Sequence, residues 1–180
     1  MVDNRGTGSV SDDRTVIVYG CLKGAVRMEG AMKTAILYYS KHHGNTKKLL
    51  DAIKNADPDV DLFDVTNSST PDFSEYGRIG IASGIYYSNF AKQVIEYASK
   101  NIPEGKPVFF IYTHGAPKGG FLKGIREVTN QKHSKELGAY HCKGFDTVGP
   151  FKLVGGISKG HPTKEETDQA VMFYRNLSKE

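Results

Sequence analysis

From residue 32 onward the chain alternates between two hydrophobic periods. MKTAILYYS opens with an apolar run over residues 34–39, and a strand with so little polar interruption is buried on both faces. Thr46, Leu49, Leu50 and Ile53 then fall at i, i+3, i+4 and i+7, one stripe of a helix that ends before Asp57-Pro58. Residues 60–65 alternate, which predicts a half-buried edge strand, and NSSTPD at 67–72 is turn chemistry. The pattern then repeats: a strand over 78–83, a helical stripe at Phe90, Val94, Tyr97 and Ala98, and a strongly apolar strand over 107–113. A stripe at Phe121, Leu122, Ile125 and Val128 and a last strand over 139–145 follow. Thr163 to Glu166 reads as a capping box behind Pro162, opening a helix with Ala170, Val171, Tyr174 and Leu177 on its inner side.

Five strands alternating with helices predict an α/β fold: a doubly wound five-stranded parallel sheet, because parallel neighbours need crossovers and those are right-handed. The apolar first strand is central and the alternating second one peripheral, which favours the strand order 2-1-3-4-5. A ligand then sits outside the carboxyl ends of strands one and three, at the switch point. Residues 32–180 form this domain. Residues 1–31, beginning MVDNRGTGSVSDDR, are polar and rich in Gly and Ser, and are expected to be an N-terminal appendage, an upstream start or a leader. The alternative is that residues 15–19, TVIVY, add an edge strand.

Composition narrows the function classes. With 180 residues, 38% hydrophobic content, ten tyrosines and nine phenylalanines, the chain can bury one sizeable core. No apolar run approaches the roughly 20 residues needed to cross a bilayer, and no secretory signal pattern opens the chain, so no membrane partner and a cytoplasmic location are expected. Two cysteines, Cys21 and Cys142, make no disulfide framework and have no metal-ligand spacing. The net charge of +4 is spread rather than gathered into a basic arm, and the aromatic signatures of RNA binders are missing, so no nucleic acid is expected either.

The three loops at the switch point are SKHHGNT, SGIYYSN and THGAPKGG, each richer in chemistry than a connector requires. The first runs into a helix start, where unpaired N–H groups and the macrodipole make an anion seat. Gly44 allows close approach, Asn45 and Thr46 offer side-chain donors, and Ser40, Lys41, His42 and His43 add hydroxyl, charge and imidazole groups. The competing reading is a capped helix with exposed histidines. A metal is disfavoured because adjacent histidines rarely point at one ion. Neither G-x-x-x-x-G-K-[ST] nor G-x-G-x-x-G is present. In the second loop Ser83, Gly84 and Ile85 lead into Tyr86 and Tyr87, phenols on which a flat ring system such as a flavin can stack. The third, Thr113, His114, Gly115 and Ala116, ends a buried strand with small residues, so its backbone can meet a ligand edge-on.

With these residues in place, the chain from 32 to 177 resembles the flavodoxin family. ILYYSKHHGNTKKLLDAI is similar to the family's FMN phosphate loop, and SGIYYSN and YTHGAP to its two loops flanking the isoalloxazine; GFDTVGPFKLVGGISKGHPT is similar to a feature of small microbial members. The resemblance implies non-covalent FMN bound by the sixteen residues named in these loops. It implies stacking by a tyrosine, since the chain has no tryptophan, and the Gly84 carbonyl facing the ring's N5 proton. It implies an electron-transfer flavoprotein with redox partner proteins, present as a monomer or weak dimer. Lysine and histidines stand where the family usually has hydroxyl residues, and the positive charge contrasts with its usual acidity. Two other functions share the fold: an FMN-dependent NAD(P)H quinone or small-molecule reductase, with the 155–161 loop lining room for a second substrate, and a flavin-free binding module.

Overall fold

A computed structural model describes residues 33–67, 70–115, 119–147 and 155–177. The appendage expected at 1–31, with its alternative edge strand, lies outside the described residues. Eleven elements follow one another: β1 (Thr34–Tyr39), α1 (Asn45–Ala56), β2 (Val60–Asp64), a 3-10 turn (Phe73–Glu75), β3 (Arg78–Tyr86), β4 (Asn89–Phe90), α2 (Lys92–Asn101), β5 (Val108–His114), α3 (Lys123–Gln131), β6 (Glu136–Lys143) and α4 (Lys164–Asn176).

The sheet runs β2-β1-β3-β5-β6, with all four neighbouring pairs parallel. The five long strands therefore take the expected spatial order. The numbering differs because a two-residue strand, β4, folds back antiparallel onto β3, pairing Ile85 with Phe90 and Tyr86 with Asn89. Its turn places Tyr87 and Ser88 at φ 49° and 63°, the two left-handed residues of a tight hairpin whose twist matches the strands it joins. β3 thus runs three residues past its expected end.

Helices cover both faces of the sheet. On one, α1 and α4 pack Leu49, Leu50, Ile53, Ala170 and Tyr174 against Ile36, Phe109 and Ile111; on the other, α2 and α3 pack Val94, Ala98 and Ile125 against Leu37, Ile81 and Phe110. β1 and β5 are buried on both sides almost throughout. Gly80 marks the tightest point, since a Cβ there would stand 2.6 Å from the Phe109 ring. At the amino ends of the strands, buried Arg78 donates through Nε to Thr34 Oγ1 at 2.9 Å and lies over the Tyr174 ring at 4.6 Å. Tyr174 donates its hydroxyl proton to Asp57 Oδ2 at 2.6 Å, tying α4 to the end of α1.

The last strand starts earlier than its apolar pattern predicted, at Glu136, and ends at Lys143. Beyond it the chain turns to pair Asp146 with Ile157 in both directions, at 3.0 and 2.8 Å. α4 opens with the expected capping box: the Glu166 N–H donates to Thr163 Oγ1, and the Thr163 N–H donates to Glu166 Oε2.

Candidate functional site

A cleft of about 870 Å³ opens at the carboxyl ends of β1, β3 and β5, within the size range of small-molecule sites. Twelve of the sixteen residues expected there line it: Ser40, Lys41, His42, Asn45 and Thr46 from the first loop, Gly84, Ile85, Tyr86 and Tyr87 from the second, and Thr113, His114 and Gly115 from the third. Ala116 lies outside the described residues. His43, Gly44 and Ser83 stand behind the lining and hold its shape.

The first loop is built around a left-handed pair, His43 at φ 54° and Gly44 at φ 63°. Gly44 is the N-cap of α1 and makes no side-chain cap; its conformation costs a glycine little and gives the sharp entry into the helix. Ser40 Oγ accepts the Lys47 N–H at 3.2 Å and supplies the missing cap from the loop. His43 turns away from the cleft: its ring packs 4.4 Å from that of Phe145, and Nε2 lies 3.0 Å from Thr147 Oγ1. Thr46 and Thr113 share a hydrogen bond between their buried hydroxyls at 2.9 Å, joining the first loop to the third.

Asn45 is the most informative residue of the site. It is 7% exposed, and its Nδ2 donates to the Phe145 carbonyl at 2.7 Å. That bond fixes the orientation of the amide and leaves Oδ1 buried without a hydrogen-bond partner. An orphaned acceptor of this kind costs about 1 to 3 kcal/mol; Asn45 lines the cleft, and a ligand hydroxyl or N–H that reached Oδ1 would remove that cost.

The β3–β4 hairpin makes the second wall. The Ser83 hydroxyl is fully buried; it donates to the Gly84 carbonyl at 2.6 Å and accepts the Ala91 N–H at 2.9 Å, so it fixes the base of the hairpin rather than facing the cleft. The Tyr86 ring is half-buried against Tyr39 and His42, at 5.9 and 5.7 Å between centroids. Burial raises its pKa, while the backbone N–H groups of Lys41 and His42 face its hydroxyl and oppose the rise. Tyr87, at the hairpin tip, is wholly exposed. Of the two phenols, Tyr87 is the free platform and Tyr86 the packed wall.

A third wall was not expected. Gly144, Phe145 and Asp146, which follow β6, line the cleft, as do Asn89 through Gln93. Gly144 admits no side chain, because a Cβ would lie 2.8 Å from Asn45 Nδ2. Gly156 packs beneath, where a Cβ would meet Phe145 and Thr147 at 2.5 and 2.8 Å, and the Phe145 N–H donates to the His161 carbonyl. The 155–161 loop is therefore a brace behind this wall; among the described residues it contributes nothing to the lining. Among the described residues there is also no group of three or more metal-ligating side chains, and no helix long and apolar enough to cross a membrane.

Residues 35–138 match the family model of a flavodoxin domain. An uncharacterized protein of Methanocaldococcus jannaschii is 34% identical over 150 residues, covering 82% of this chain and 99% of that relative. Among solved structures, a flavodoxin from the domain Archaea superposes with a TM-score of 0.54 at 16% identity, over 82% of this chain and 99% of the other. A Fusobacterium nucleatum flavodoxin mutant bound to flavin mononucleotide gives 0.57 at 15% identity, over 82% and 96%.

Proposed function

The chain belongs to the flavodoxin family, and from that premise we propose that it binds FMN non-covalently in the cleft and carries electrons between redox proteins. The observation that carries this reading is the meeting of three chemically rich loops around one cleft at the start of α1, with the buried Asn45 Oδ1 in its lining still lacking a donor. FMN fits that requirement, because it carries a phosphate, a hydroxylated chain and a flat ring on one molecule.

In this reading the backbone at the start of α1 seats the phosphate, helped by the charge of Lys41. Asn45 Oδ1 accepts from a hydroxyl of the sugar-alcohol chain. Tyr87 offers its exposed ring to the isoalloxazine, Thr113 to Gly115 border its pyrimidine side, and the Gly84 peptide, with no side chain to resist the motion, turns its carbonyl from the Ser83 hydroxyl toward the central ring. When bound, the flavin supplies one- or two-electron chemistry. The chain's own part is to bind, orient and exclude water on three sides, and this task needs neither nucleophile nor acid–base pair. The buried Thr46–Thr113 hydroxyl pair keeps the first and third loops at fixed separation, so the site is largely formed before the ligand arrives.

The test is the visible spectrum of the purified protein before and after addition of FMN. A yellow protein, or a colourless one that becomes yellow and retains FMN through gel filtration, is the expected result. Failure to take up FMN overturns the reading. NADH oxidation with a quinone acceptor tests the reductase alternative on the same loaded sample; turnover without a partner protein would favour it.

A further inference from the structure

Of the helices that begin at this end of the sheet, three break an ordinary rule. Acidic side chains are favoured in the first turn of a helix, where they meet the positive end of the macrodipole, and α4 obeys with Glu165 and Glu166. α1, α2 and α3 have no acidic residue in the first turn, and lysines stand there instead: Lys47, Lys92 and Lys123. Lys41 follows β1 and Lys143 ends β6, both exposed. Among the described residues that line the cleft, Asp146 is the only carboxylate. Lys47 is paired with Asp51 and Lys92 with Glu96, whereas Lys123 and Lys143 are exposed lysines of the rim. Lys123 sits beside the hairpin, since a Cβ on the next residue, Gly124, would touch the Asn89 side chain. Lys143 precedes Gly144 of the third wall.

The starts of α2 and α3 and the outward Lys123 and Lys143 lie at the carboxyl end of the sheet, the end that also carries the exposed ring of Tyr87. This concentration of like charge costs stability in the isolated chain, and an anionic surface placed against it removes the cost. We propose that this rim is the docking face for an acidic redox protein, so that the electron partner meets the cleft through Lys123 and Lys143. The inference rests on the electron-carrier reading above and gives it a partner of defined charge. The sequence gathers no basic arm and carries none of the aromatic signatures of RNA binders, and the rim borders the cleft proposed for the flavin. An acidic protein surface is therefore the occupant the observations favour.

The probe is a reduced acidic iron–sulfur ferredoxin mixed with the FMN-loaded protein in a stopped-flow spectrometer. The second-order rate of flavin reduction is expected to fall at least about tenfold between about 20 and about 300 mM salt, as charge-steered association does. The double variant K123E/K143E should lower the rate at low salt by about tenfold with FMN affinity unchanged. K100E/K135E, with the same change in net charge at the opposite end of the molecule, should behave as the parent. A rate that is flat or rises with salt overturns the proposal, as does equal behaviour of the two double variants or tighter binding of a DNA oligonucleotide than of the ferredoxin at the same salt. If FMN does not bind, the functional reading fails at the spectrum. The docking face is then read on the FMN-free protein, where NMR shifts on titration with oxidised ferredoxin should cluster at Lys123 and Lys143, and a diffuse pattern counts against it.

Discussion

Replacing Asn45 by alanine separates the structural share of this side chain from its share in binding. Removing Nδ2 loses the 2.7 Å bond to the Phe145 carbonyl, a net loss of about 1 kcal/mol, with something more for the carbonyl left behind. Removing Oδ1 relieves a buried acceptor without a partner, a gain of about 1 to 3 kcal/mol. The two nearly cancel, so the FMN-free variant should unfold within about 1 kcal/mol of the parent, a shift of only about 2 to 4 °C in Tm. In the loaded protein there is nothing to cancel, because the orphan has found its donor; losing a hydrogen bond of about 1 kcal/mol raises the Kd for FMN roughly fivefold. Asn45→Asp is the sharper companion, since it sets a carboxylate oxygen against the Phe145 carbonyl and a negative charge beside the phosphate seat. It should lose FMN altogether. Urea denaturation of the FMN-free proteins and quenching of flavin fluorescence give the two numbers. An alanine variant destabilised by well over 2 kcal/mol with its Kd unchanged would refute the reasoning, because the amide would then be a strut and not a ligand.

Three further outcomes follow from the geometry. Gly144→Ala puts a methyl 2.8 Å from Asn45 Nδ2 and 3.2 Å from Thr113 Cβ; overpacking of this kind costs about 1 to 3 kcal/mol, and FMN affinity should fall with the stability read in urea. Tyr86→Phe frees the N–H groups of Lys41 and His42 while keeping the ring, so FMN should bind a few-fold tighter in a titration and riboflavin should not. Burial, then the nearby Glu166 carboxylate, pushes the Cys142 thiol up from 9.0 to about 12. A thiol raised in the folded state lends stability that is complete below pH 9 and is lost as the pH climbs toward 12; denaturation curves should show this decline, and Cys142→Ala should make it shallower, the raised tyrosines Tyr76 and Tyr140 supplying much of the rest.

Most of the scaffold was legible because it rests on short-range physics. The stripe Thr46, Leu49, Leu50 and Ile53 is buried as its spacing demanded, the apolar runs became β1 and β5, and the Thr163 capping box formed as read. The site was legible up to the point where distant segments meet. Nothing local announces β4, since Tyr87 and Ser88 take left-handed conformations with neither glycine nor asparagine to mark the turn. The third wall depends on the bond from Asn45 to Phe145, 100 residues apart, and only the path of the chain after β6 brings them together. His43 looked like a phosphate ligand because of its place in the loop, and it faces Phe145 and Thr147 for the same long-range reason.

An anion seat and a ring platform are proposed to share one cleft, and comparing FMN with riboflavin isolates the first from the second. Titration of the FMN-free protein with each flavin, followed by fluorescence at low salt, should give an affinity for FMN at least about tenfold higher. Equal affinity for the two would contradict the phosphate seat at the start of α1, and no binding of either would contradict the cleft as a flavin site.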